Sequence, residues 1–135
     1  MRFMMLMIPK GYEKAQPGAM PDAKSVEAMM QYNNKLREAG VLLSLDGLQP
    51  PSKGARVTFS SDGKTLVSKG PFAETTETLG GYWMIKADTI EEAIEWAKCC
   101  PAQDAVIEIR QVQEFEDFPE DVQKVLEGFR EMQHR

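Results

Sequence analysis

The chain is short of the residues that carry most covalent and metal chemistry: it has one histidine, His134, and two cysteines, Cys99 and Cys100. A histidine next to a fraying chain end is a poor general base, and it leaves no partner to activate a serine nucleophile. Neighbouring cysteines hold their Cα atoms about 3.8 Å apart, which strains a mutual disulfide, and this pair lacks the two-residue spacer of redox and zinc motifs. Reduced thiols packed at a helix end are expected. Without a His/Cys cluster of ligand spacing or a phosphate-cradling glycine loop, neither a metal nor a cofactor is expected.

Long apolar runs are missing too. None reaches the roughly 18 residues of a membrane span, and Met1 to Ile8 is too short for a signal-peptide core, so no membrane partner and a cytoplasmic location are expected. Lys and Arg total 16 against 21 Asp and Glu, for a net charge of −5, and no basic cluster occurs. A nucleic-acid partner is therefore not expected, because phosphate backbones require a cationic face.

What is present suits one α+β domain. With 135 residues, of which 42% are apolar, the chain can bury roughly 70% of its unfolded surface. From Glu114 onward seven acids face three bases, which puts four of the five net negative charges there. Residues 1–113 read as the core and 114–135 as an acidic helical extension of the same domain.

Phe3 to Ile8 is apolar on both faces and reads as a central strand. After a loop from Pro9 to Pro21, Asp22 caps a helix whose apolar positions are Val26, Met29, Met30 and Leu36, stopped by Gly40. Val41 to Leu48 is a second strand, and Asp62-Gly63 between Arg56–Phe59 and Thr65–Ser68 signals a hairpin. Tyr82 to Ala87 is a strand; Asp88 with Glu91 then makes a capping box for a helix with Ile90, Ala93, Ile94 and Ala97 on one face. Val106 to Val112 is the last core strand. Pro119 opens a third helix with the stripe Val122, Val125, Leu126, Phe129 and Met132.

This order matches a ferredoxin-like antiparallel sheet with two helices on one face, an inserted hairpin and an extra C-terminal helix. The other face is left bare and, being apolar in Phe3 to Ile8, is expected to meet a second copy in a homodimer.

The densest stretch is Lys69 to Trp83. Gly70-Pro71 sets a bend, and Gly80-Gly81 lets backbone come close just before a strand. The run Gly70-Pro71-Phe72-Ala73-Glu74-Thr75, then Leu79-Gly80-Gly81-Tyr82 and Glu92-Ala93-Ile94-Glu95-Trp96-Ala97, resembles the DGPF branch of the YCII-related proteins, over nearly the whole chain up to about Gln113. The resemblance implies a dimeric α+β barrel with signature positions at Gly70 to Glu74 and at Glu108 and Arg110. This chain departs from the pattern at Lys69, where the family motif opens with aspartate, and at Gln49, where many relatives have histidine. The His and Asp pair supposed to do acid and base work in that family is absent from both places.

Alternation on the last strand points Ile107 and Ile109 to the helices and Glu108 and Arg110 into the space between the sheets of the dimer. Arg110 or Lys69 could hold an anionic group, Tyr82 and Trp83 could line a pocket with Gly70, Phe72 and Gln49, and Glu108, Glu74 or Glu77 could act as acid or base. Two functions follow. One is a dimer binding a small polar or anionic molecule in a pocket between or beside the sheets; the other is a cofactor-free lyase or isomerase using a carboxylate, with Glu108 and Glu74 as its catalytic residues.

Overall fold

Apolar side chains at every position from Phe3 to Ile8 suit only a strand paired on both edges and covered on both faces. The computed structural model, which describes residues 1–16, 18, 20–72 and 77–133, puts that segment in the middle of a sheet. The elements run β1 (Arg2–Pro9), α1 (Ala23–Glu38), β2 (Leu42–Gly47), β3 (Ala55–Phe59), β4 (Thr65–Lys69), β5 (Gly81–Lys86), α2 (Ile90–Lys98), β6 (Ala105–Gln111), α3 (Glu120–Val125) and α4 (Phe129–Gln133). Four strands form an antiparallel sheet in the order β2-β5-β1-β6.

The register divides β1 by parity. Phe3 pairs with Ile85, while Met5 pairs with Trp83 on one side and Ile109 on the other; these side chains share the face that packs on Tyr32 and Leu36 of α1 and Ala93 of α2. Leu6 pairs with Tyr82 and Glu108, and Met4 with Met84 and Arg110, so the opposite face carries Met4, Leu6, Ile8 and Met84, all half-buried. Ile107 and Ile109 do pack toward the helices as expected.

The helix stripes needed correction. Asp22 caps α1 by accepting the Ser25 N–H at 2.7 Å, but Val26 and Met30 are exposed, and the inward line is Met29, Tyr32, Asn33 and Leu36. Tyr32 is drawn in because its ring meets Trp83 edge-on at 5.6 Å and its hydroxyl donates to the Trp96 carbonyl at 2.7 Å. On α2 the cap is Thr89, not Asp88: Thr89 accepts from the Glu92 N–H at 3.2 Å, and Glu92 reaches back to the Asp88 N–H at 3.0 Å. One residue of offset turns Ala93, Trp96 and Ala97 inward and leaves Ile90 and Ile94 exposed.

The inserted hairpin is a separate two-stranded sheet, with Val57 opposite Val67, and exposed at every position. Gly70 returns the chain from it. The Gly70 N–H bonds to the Gly54 carbonyl at 2.9 Å, and a Cβ on Gly70 would lie 1.7 Å from the Pro51 oxygen, so only glycine fits there. Gly80 and Gly81 serve the close approach expected of them: added Cβ atoms would stand 2.8 Å from the Pro9 ring and 2.8 Å from the Asp46 oxygen.

The expected third helix is instead two short ones, α3 and α4, separated at Gly128, whose φ of 88° is left-handed. Val125 and Met132 are left exposed, and the turn at Gly128 brings Phe129 edge-on to Phe118 at 6.0 Å. Arg130 lies over the Phe115 ring and pairs with Glu116. The segment is tied to the sheet by Arg2, whose Nε and Nη2 donate to the two Glu114 oxygens at 2.7 and 3.1 Å.

That fork is mostly sheltered from solvent, so Glu114→Gln is expected to lower stability by about 1–2 kcal/mol, between the values for exposed and buried pairs. Truncation after Gln113 should still unfold cooperatively, since every fully buried residue lies at or before Ala93; a broad, non-cooperative melt would make the extension part of the core. Cys100 packs on the core and burial pushes its thiol up to about 11, while Cys99 is exposed. At neutral pH iodoacetamide is therefore expected to label Cys99 well before Cys100, read by peptide mass spectrometry.

Candidate functional site

Beyond Met7 the helix-side face of the sheet runs out past α1 and opens into a cleft of about 710 Å3. That volume is in the range that takes small molecules. Its floor is Met7, Gly81 and Trp83 with Leu45 and Gly47 of β2; Met29 and Asn33 of α1 form one wall, and Tyr12, Ala15 and Met20 line it from the segment that follows β1. The Tyr12 hydroxyl donates to the Leu48 carbonyl, which pins the loop across the end of β2. Indole Nε1 of Trp83 donates to Asn33 Oδ1 at 2.8 Å, so the ring is held at a fixed angle.

The cleft is mainly apolar. Asp46 is the one formally charged side chain among its described lining, and its carboxylate accepts the Tyr82 hydroxyl at 3.1 Å. Asp46 and Tyr82 face each other across β2 and β5 on the side opposite Trp83, so they border the cleft from the sheet edge. Among the described residues no group of three or more His, Cys, Asp and Glu stands close enough to hold a metal.

A second cavity of about 620 Å3 adjoins the first, since Leu48 and Gln49 line both. Its other described walls are the Pro50–Arg56 turn, Phe72, and Glu77 to Leu79. Arg56 lies 4.0 Å above the Phe72 ring, a cation-π distance.

The expected site residues thus fall into three places. Gln49, Tyr82 and Trp83 come together at the cleft, and Gln49 and Phe72 at the second cavity. Gly70 braces the second cavity through its packing on Pro51, and Lys69, opposite Ala55 at the hairpin base, is exposed. Glu108 and Arg110 lie on the sheet face opposite Trp83, paired at 3.2 Å and exposed in the single chain, at 48% and 72%. Glu74 and His134 lie outside the described residues.

Sequence reasoning passed over Tyr12, Met29 and Asn33. Tyr12 had a signal, an aromatic set in a loop rich in glycine and proline, and Asn33 had another, a polar residue on the buried line of α1. Met29 carries no separate signal, because at the end of a helix core and cleft use the same residue types.

The YCII-related domain matches residues 1–116 of the 135. An uncharacterized protein of Rhizobium meliloti (strain 1021) is 34% identical over 77 residues, which are 57% of this chain and 61% of that protein. The chain thus matches about three fifths of the length of that relative. A match through the whole sheet, both core helices and the hairpin settles the question of kinship: the chain belongs to the YCII-related family.

Proposed function

We propose that this protein is a DGPF-branch member that binds a small molecule, largely apolar in its body, in the cleft beside the sheet. The observation that carries the reading is the lining itself: a cavity of about 710 Å3 floored by Trp83, Met7 and Leu45, under a loop held by Tyr12. Burying an apolar ligand there gains roughly 25 cal/mol per Å2. Of the two carboxylates expected to do proton transfer, Glu108 sits on the other side of the sheet from Trp83, which favours binding over a Glu108-dependent turnover in this cleft, and Glu74 lies outside the described residues. A lyase or isomerase built on Glu108 would need a site on the open face.

The open face supports a second element of the proposal, a ferredoxin-like subunit that pairs sheet to sheet as a dimeric α+β barrel. Met4, Leu6, Ile8 and Met84 make a half-buried apolar strip on the face opposite the α1 and α2 core. Pairing would enclose Glu108, Arg110 and Tyr82.

With Trp96→Phe as background, Trp83 is the only tryptophan, and its emission should respond to apolar aromatic compounds in a saturable way. Ala15→Phe, which fills the cleft beneath the loop, should weaken that binding about tenfold or more without lowering the melting temperature; unchanged affinity would place the ligand elsewhere. Arg110→Met tests the dimer. If the sheets pair, melting of the parent should depend on protein concentration, and breaking a pair enclosed between them should cost on the order of 3 kcal/mol. A cost below about 1 kcal/mol would mean that the face stays wet.

A further inference from the structure

We infer that the second cavity is an anion subsite, and that the molecule bound in the cleft is an amphipathic anion: an apolar body beside Trp83 and a carboxylate or sulfonate end beside Lys53, Arg56 and Thr78. This rests on the cleft being the binding site. The two cavities share the wall made by Leu48 and Gln49, so one molecule passing that wall can touch both. Gln49 is exposed, and its amide has no hydrogen-bond partner among the described residues, which leaves it able to donate to a ligand crossing the wall.

The lining chemistry of the two cavities differs in sign. Among the described residues the cleft has Asp46 as its charged residue, whereas the second cavity has Lys53 and Arg56 against Glu77. Arg56 is held in place over Phe72, and its charge contributes whatever else it touches. Thr78 adds a specific donor. Its Oγ1 is buried and makes no hydrogen bond, and an unsatisfied buried hydroxyl is costly unless something completes it.

The frame is rigid where these groups are anchored. Pro50 and Pro51 are buried, the Lys53 and Gly54 N–H groups bond back to the Pro50 and Pro51 carbonyls at 2.9 and 2.8 Å, and Gly54 is bonded to Gly70 at 2.9 Å. A cation on a braced turn loses little freedom when an anion arrives. The charges that select the ligand are then on this turn, not on Arg110 or Lys69.

The test compares 1-anilinonaphthalene-8-sulfonate with its uncharged parent N-phenyl-1-naphthylamine, using energy transfer from Trp83 in the Trp96→Phe background. The sulfonate is expected to bind about fivefold or more tighter than the parent, an advantage that shrinks with added salt. Lys53→Gln and Thr78→Val should each remove most of that advantage and leave the parent compound's affinity unchanged, and Glu77→Gln should enlarge it. Equal binding of the two probes would overturn the subsite while leaving the cleft reading intact. A sulfonate preference that persists in both Lys53→Gln and Thr78→Val would also overturn it, since the anion would be held elsewhere. Failure of both probes to quench Trp83 would remove the cleft reading and the subsite together.

Discussion

Everything in this molecule depends on β1 being paired along both edges. Its backbone groups are satisfied by β5 on one side and β6 on the other, so its side chains can point only up or down, and the parity of each residue is fixed by the register. Phe3 and Met5 anchor the helices, and Met4, Leu6 and Ile8 make the bare face. A slip of β1 by one residue would exchange the two sets and turn Met4 and Leu6 toward Leu36 in place of Phe3 and Met5. The match of Met5 to both Trp83 and Ile109 makes such a slip costly, because it would pull the most buried side chains out of the core.

The cleft is a continuation of this core rather than a separate construction. Phe3 and Met5 are covered by α1 and α2, but Met7, next in the same line, lies where the cover thins, and Met29 and Asn33 hold the helix side of the gap. Trp83 belongs to both regions: one edge meets Tyr32 in the core, and its floor position serves the cleft. Stability and binding therefore draw on the same side chains, and a ligand here would meet a surface already ordered by folding.

Proline and glycine join the hairpin to this arrangement. Pro50 and Pro51 are buried, Gly70 fits against Pro51 with no room for a side chain, and Gly80 and Gly81 let β5 begin hard against Pro9 and Asp46. The insertion thereby brings Lys53, Arg56 and Phe72 next to the Leu48–Gln49 wall of the cleft. Charge is segregated in the same way, with the cations near that wall and most of the net acidity in the extension that Arg2 holds to the sheet.

By itself the sequence determined the strand and helix order, the central place of Phe3 to Ile8, the hairpin at Asp62-Gly63, the Asp22 cap and the close approach at Gly80-Gly81. These are signals written within a few residues: hydrophobic period, turn chemistry and backbone sterics. Tertiary structure decided what local pattern leaves degenerate. Val26 and Met29 are equally apolar on one helix, yet only packing against the core and Cys100 chose Met29. Asp88 and Thr89 are both competent caps, and the structure begins α2 at Ile90 with Thr89 as the cap, which turns Ala93, Trp96 and Ala97 to the core. Glu108 and Arg110 were legible as neighbours on the face of β6 away from the helices, but which residues of β5 share that face is decided only by the pairing of β1 with both strands, which puts Tyr82 there and Trp83 on the other side.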